Sequence, residues 1–79
     1  MKLLRDRLVY AMSAQYAAAM QKHSVNIEIL LEKGVGVAEH PDLITTIDSE
    51  IALLAEAEDK LATLEKHFGK SRPYSPLIV

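Results

Sequence analysis

Three histidines, His23, His40 and His67, are the residues of this chain best suited to hold a metal or move a proton near neutral pH. Their spacing works against a shared site. On a helical reading, His40 and His67 are about 40 Å apart along a helix axis, and His23 lies roughly 16 Å short of the His40 end. His67 reads as a cation at a helix C-terminus or a ring packed on Phe68, and His23 as a core or interface histidine. Helical di-iron sites need a glutamate followed three residues later by histidine, and no glutamate here has one. The acidic run Glu56, Glu58 and Asp59 reads as a solvated face, because paired carboxylates that do acid–base work need burial in a cleft.

Nucleophile and phosphate chemistry fare no better. Ser13 and Ser24 have no base beside them. Gly34-Val35-Gly36 is too short for a phosphate-binding loop and follows a helix rather than a strand. Arg72-Pro73-Tyr74-Ser75-Pro76 holds a Pro-x-x-Pro spacing that docks in aromatic grooves, a pattern frequent by chance. The sequence therefore assigns no catalytic, cofactor-binding or metal-ligating residue, and an enzyme is not expected.

The elements that carry these residues are two helices. Residues 3–33 contain no glycine or proline and are rich in the residues that lose least on entering a helix. Apolar side chains recur at helical spacing at Leu8, Met12, Tyr16, Ala19, Met20, Ile27, Leu30 and Leu31. Gly34 is placed to close this helix after Lys33, and residues 34–40 form the connection. A second helix is expected over 41–68, with His40, not a favoured residue there, or Glu39 supplying its N-cap, Pro41 in its first turn and Asp42 near its positive dipole end. Its expected apolar stripe is Ile44, Ile47, Ile51, Leu54, Ala57, Leu61, Leu64 and Phe68, close to the coiled-coil period, and Gly69 ends it. Two helices of matched length joined by a short connection lie antiparallel, with the Leu3–Leu8 end beside the Leu61–Phe68 end. Residues 70–79, with two prolines, read as an extended tail. The predicted fold class is all-α: an antiparallel, coiled-coil-like two-helix hairpin over 1–69 that assembles into a four-helix bundle by oligomerisation.

Composition supports that assembly. The 79 residues are 49% apolar and 25% charged, which argues for a folded chain. Chains this short gain little from a single core, and with no cysteine there is no disulfide or thiolate metal site to add stability. From Leu8 to Met20 only Ser13 and Gln15 are clearly polar, so the first helix has more apolar surface than one neighbour covers. The expected oligomer interface is Leu8, Met12, Tyr16, Ala18, Ala19, His23 and Ile27, in a homodimer or homotetramer. Asn26 lies in or beside the helical seam, where it either fixes register or meets water.

Charge is uneven: residues 1–33 carry five basic against three acidic side chains, and residues 34–68 carry two against eight. This favours pairing of the two helices and disfavours a nucleic-acid partner, since the second helix repels phosphate. No apolar run approaches a membrane span, and the charged start lacks the apolar region of a signal peptide, so a cytoplasmic protein off the membrane is expected.

One stretch resembles a known group. Val25-Asn26-Ile27-Glu28-Ile29-Leu30-Leu31, the connection Gly34-Val35-Gly36-Val37-Ala38-Glu39-His40-Pro41-Asp42-Leu43, then Ile47-Asp48 and Leu54-Ala55-Glu56-Ala57-Glu58-Asp59-Lys60-Leu61 are similar to small helical-hairpin proteins of tailed, notably marine, bacteriophages. The resemblance covers residues 25–64 and is most specific in the connection. It implies a phage origin, in the host cytoplasm or the virion, and no mechanism. It also makes Val35, Val37, Glu39 and His40 candidates for contact with an unidentified protein partner, to which the tail adds Tyr74, Leu77 and Ile78. The leading expectation is a non-enzymatic structural or interaction module without a cofactor. The alternatives are a nucleic-acid accessory protein using Lys2, Arg5, Arg7, Lys70 and Arg72, and a metal or ligand carrier whose site forms between subunits around His23.

Overall fold

The computed structural model describes residues 2–34 and 42–69, which form two helices packed against each other with no strand among them. Helix α1 runs Lys2–Gly34 and α2 runs Leu43–Phe68, 33 and 26 residues, or roughly 50 and 39 Å. They are antiparallel: the Arg5 guanidinium donates a 3.0 Å hydrogen bond to the carbonyl of Phe68 at the far end of α2. A cation at that carbonyl also faces the negative end of the α2 dipole.

The helix ends depart modestly from the sequence reading. Gly34 is the last residue of α1 rather than the first of the connection, and α2 begins at Leu43, two residues later than expected. The N-cap of α2 is Asp42, not His40; its backbone is helical (φ −88°, ψ 0°) and its carboxylate makes no capping hydrogen bond. Its carbonyl instead accepts from both the backbone N–H and the hydroxyl of Thr46, each at 2.9 Å. At the other end Gly69 closes α2 as expected, with its N–H on the Glu65 carbonyl at 3.1 Å. Its φ of 85° and ψ of 162° lie in a region that glycine alone adopts freely. A methyl group there would meet nothing within 4 Å, so the glycine answers a backbone requirement and not a lack of space.

The seam between the helices is regular. Arg5 meets Phe68 and His23 meets Glu50, so each step forward along α1 is matched by one back along α2. That register sets Val9 against Leu64, Ser13 against Leu61, Tyr16 against Ala57 and Met20 against Leu54. Beyond His23 and Glu50 it sets Ile27 against Ile47 and Leu30 against Leu43. All of these residues are buried or half-buried. Both rows alternate steps of four and three without interruption, the heptad pattern of a coiled coil. The stripe drawn from sequence for α2 is corrected at three positions. Ile44, Ile51 and Phe68 are 79%, 48% and 55% exposed, while Leu43 and Glu50 take the facing places. In α1, Leu8, Met12 and Leu31 of the expected stripe are likewise exposed, and Val9, Ser13 and His23 face α2.

Among the described residues only Ala57 and Ser13 are buried, at 5% and 9% exposure. Ala57 is the whole of the fully covered apolar core, and two helices in contact along one line cannot cover more.

Candidate functional site

The polar cluster of the seam is its most constrained feature. Glu50 occupies a heptad position of α2 and turns its carboxylate into the interface, where its side chain is 18% exposed. From α1, His23, 12% exposed, donates through Nδ1–H to Glu50 Oε1 at 3.0 Å, and Asn26 donates through Nδ2 to the same oxygen at 2.8 Å. His23 and Asn26 are three residues apart and so lie on one face of α1. The hydrogen bond from His23, then that from Asn26, holds the Glu50 carboxyl below its usual range, against a weaker upward push from burial.

A histidine oriented by a carboxylate is also the supporting half of many acid–base centres. Here, however, the groove beside the pair, lined by Tyr16, Ala19, His23, Leu53, Ala57 and Lys60, has a volume of about 170 Å³. That is below the roughly 300–1,000 Å³ of ligand pockets. Its outer wall is an ion pair, Lys60 to Glu56 at 2.8 Å, with the Lys60 ammonium 5.9 Å from the centre of the Tyr16 ring. Each partner steadies the charge of the other: Lys60 lowers the Glu56 carboxyl, and Glu56 raises the Lys60 ammonium. A larger trough of about 420 Å³ runs beyond it between Met12, Tyr16, Lys60, Thr63, Leu64 and Phe68, on the same edge of the pair. It is an open, mainly apolar channel. Among the described residues no group of three or more histidine, aspartate or glutamate side chains is placed to hold a metal ion.

The sequence-derived candidates fall in three places. Tyr16, Ala19, His23 and Ile27 are half-buried against α2. Leu8, Met12 and Ala18 are exposed on α1. Val35, Val37, Glu39, His40, Tyr74, Leu77 and Ile78 lie outside the described residues. Of the basic residues, Arg5 is committed to the Phe68 carbonyl and lies 4.0 Å from Asp6, and Arg7 is exposed. The side chain of Lys2, together with Lys70 and Arg72, lies outside the description. His67 packs tilted on Phe68, ring centres 6.3 Å apart. Asn26 is neither a plain seam residue nor a solvated one: it is half-buried at the seam's edge and bonded across it.

Sequence reasoning missed Glu50 and Ser13. The signal was the heptad phase. The row 43, 47, 50, 54, 57, 61, 64 alternates steps of four and three throughout, whereas the row through Ile51 needs two successive steps of three at Leu54 and Ala57. Choosing the apolar Ile51 over Glu50 traded an unbroken period for a more hydrophobic stripe. Ser13 was lost in the same way, beside the larger Met12.

Comparison of the chain with protein-family models, with curated proteins and with solved structures gave no match.

Proposed function

We propose that this chain is a non-enzymatic structural or interaction module that works as a homo-oligomer, its hairpins completing one another's core in a four-helix bundle. The observation that carries the reading is the imbalance between buried and exposed apolar surface. Among the described residues one apolar residue, Ala57, is buried, while eleven large apolar side chains, from Leu3 at 71% to Ile44 at 79%, stand in solvent on the isolated hairpin. So large a share of exposed apolar side chains on a small chain favours association, and a lone two-helix unit has too little core to be stable on its own. The His23–Asn26–Glu50 cluster fits the same role. A polar layer in an apolar seam fixes register and orientation at some expense in stability. That gives an assembling protein a single geometry to present.

The resemblance of residues 25–64 to tailed-phage proteins points to a phage-encoded component acting in the host cytoplasm or the virion. No helix of the described residues is long and apolar enough to cross a membrane. The test is solution mass by light scattering across a dilution series, alongside helicity by circular dichroism. A dimer or tetramer that dissociates only with loss of helicity is the expected result. A fully helical monomer at every concentration refutes the proposal.

A further inference from the structure

The side of α1 turned away from α2 carries a second heptad row. Leu4, Leu8, Ala11, Ala18, Val25 and Ile29, with Gln15 and Lys22 as its two polar steps, again alternate steps of four and three. Leu4 and Leu8 are each 58% exposed, Val25 is 52% and Ile29 44%; the other four are exposed as well. Helix α1 is thus apolar on two opposite sides, and α2 covers only one. The outward side of α2 is different in kind: Asp48, Ser49, Glu56, Asp59 and Lys66 make it a solvated face.

We infer that this outer row of α1 is the homodimer interface, that its occupant is α1 of a second copy, and that the two run antiparallel about a two-fold axis between Gln15 and Ala18. The inference rests on the oligomeric reading above and specifies its surface and geometry. The row is close to a palindrome about its midpoint. Laid antiparallel on itself, it sets Leu4 against Ile29 of the second copy and Leu8 against Val25. Each pair occurs twice by symmetry, which gives four apolar layers, two at each end. In the middle, Ala11 receives the aliphatic stem of Lys22, whose ammonium reaches solvent, and Ala18 receives Gln15.

Charge complementarity selects the same arrangement. Arg7 and Glu28 flank the row on one side, both exposed. The antiparallel register brings Arg7 of each copy to Glu28 of the other, two ion pairs per dimer. On the opposite flank it sets Met12 by Ala19 and Arg5 by Asn26, with no like-charge contact. A parallel pair would instead set Lys22 against Lys22, which is unfavourable, and would leave Arg7 beside Met12 with no ion pair to Glu28. The dimer is then four helices in the order α2, α1, α1, α2. The apolar helices lie inside and the acidic ones outside, as expected when an all-round apolar helix is buried all round.

The chain has no cysteine, so single introduced thiols report distances cleanly. Leu8→Cys and Val25→Cys variants are prepared separately, unfolded together, refolded as a mixture and treated with a short bis-maleimide, with the mass of each sample taken in parallel. The antiparallel dimer cross-links the mixture and neither variant alone, because like positions are about 25 Å apart in that register. Charge supplies a second readout: Arg7→Glu weakens dimerisation several-fold, and adding Glu28→Arg restores it. Cross-linking of each variant alone overturns the antiparallel geometry. A dimeric mass without cross-linking of the mixture overturns the interface and leaves the oligomeric reading standing. A monomeric mass for the unmodified chain overturns both.

Discussion

Replacing Ser13 by alanine should stabilise the helical pair, although it removes a polar group from a protein with almost no core. Ser13 occupies a seam position facing Leu61, is 9% exposed, and its hydroxyl has no hydrogen-bond partner. An unsatisfied buried hydroxyl costs about 1–3 kcal/mol relative to water. Alanine removes that penalty and adds about 0.5 kcal/mol of helix propensity. Loss of one oxygen leaves a void on the order of 10 Å³, which at about 24 cal/mol per Å³ returns roughly 0.2–0.3 kcal/mol. The net gain is about 1.2 kcal/mol at the lower end of the hydroxyl penalty. For a chain of this size that corresponds to roughly 5–10 °C in Tm. Urea unfolding followed by circular dichroism, at one fixed protein concentration because association contributes to stability, measures it. Ser24→Ala is the control. Ser24 is half-buried on the same helix and is not such an orphan, so its gain should be limited to propensity, about 0.5 kcal/mol. If Ser13→Ala stabilises no more than Ser24→Ala, the hydroxyl is satisfied in the assembled protein and the seam does not run as described.

Two further outcomes follow from the same seam. The Glu50 carboxyl is held below its ordinary value of 4.5, so its ionised form favours the folded state. That contribution is complete above about pH 4.5 and is lost as pH falls through the lowered folded value. The stability difference between the unmodified chain and Glu50→Gln, from thermal melts between pH 6 and 3 or so, should therefore be constant at the upper end and shrink with acid; a flat difference refutes it. Ala57→Leu adds bulk at the one fully covered apolar position among the described residues, against Tyr16, and should cost about 1–3 kcal/mol in urea unfolding. Ala52→Leu, exposed on the outer side of α2, should change stability by less than about 0.5 kcal/mol.

Much of the fold is legible in the residues alone. A 31-residue stretch free of glycine and proline, a glycine after each apolar run and a proline ahead of the second make two helices. The short connection between them makes them antiparallel, and Arg5 on Phe68 is that arrangement observed. These are local properties, fixed by backbone freedom and side-chain entropy within a few residues, so no partner is needed to read them. The absence of a recognisable catalytic motif is legible in the same way.

What sequence could not decide is which stripe of each helix faces the other. Helix α1 is apolar on most of its circumference, so its own residues allow several faces. Helix α2 offers Ile44 and Ile51 beside Leu43 and Glu50, and hydrophobicity alone favours the wrong neighbours. The choice is made by the pair. The observed register keeps an unbroken heptad on both helices and brings His23 and Asn26 to Glu50, whose hydrogen bonds offset the burial of a charge that neither helix would bury alone. Rotating α2 by one residue would bury Ile51 and leave the histidine and asparagine without their acceptor. Facing surfaces are a property of two elements in contact, and only the tertiary structure contains both.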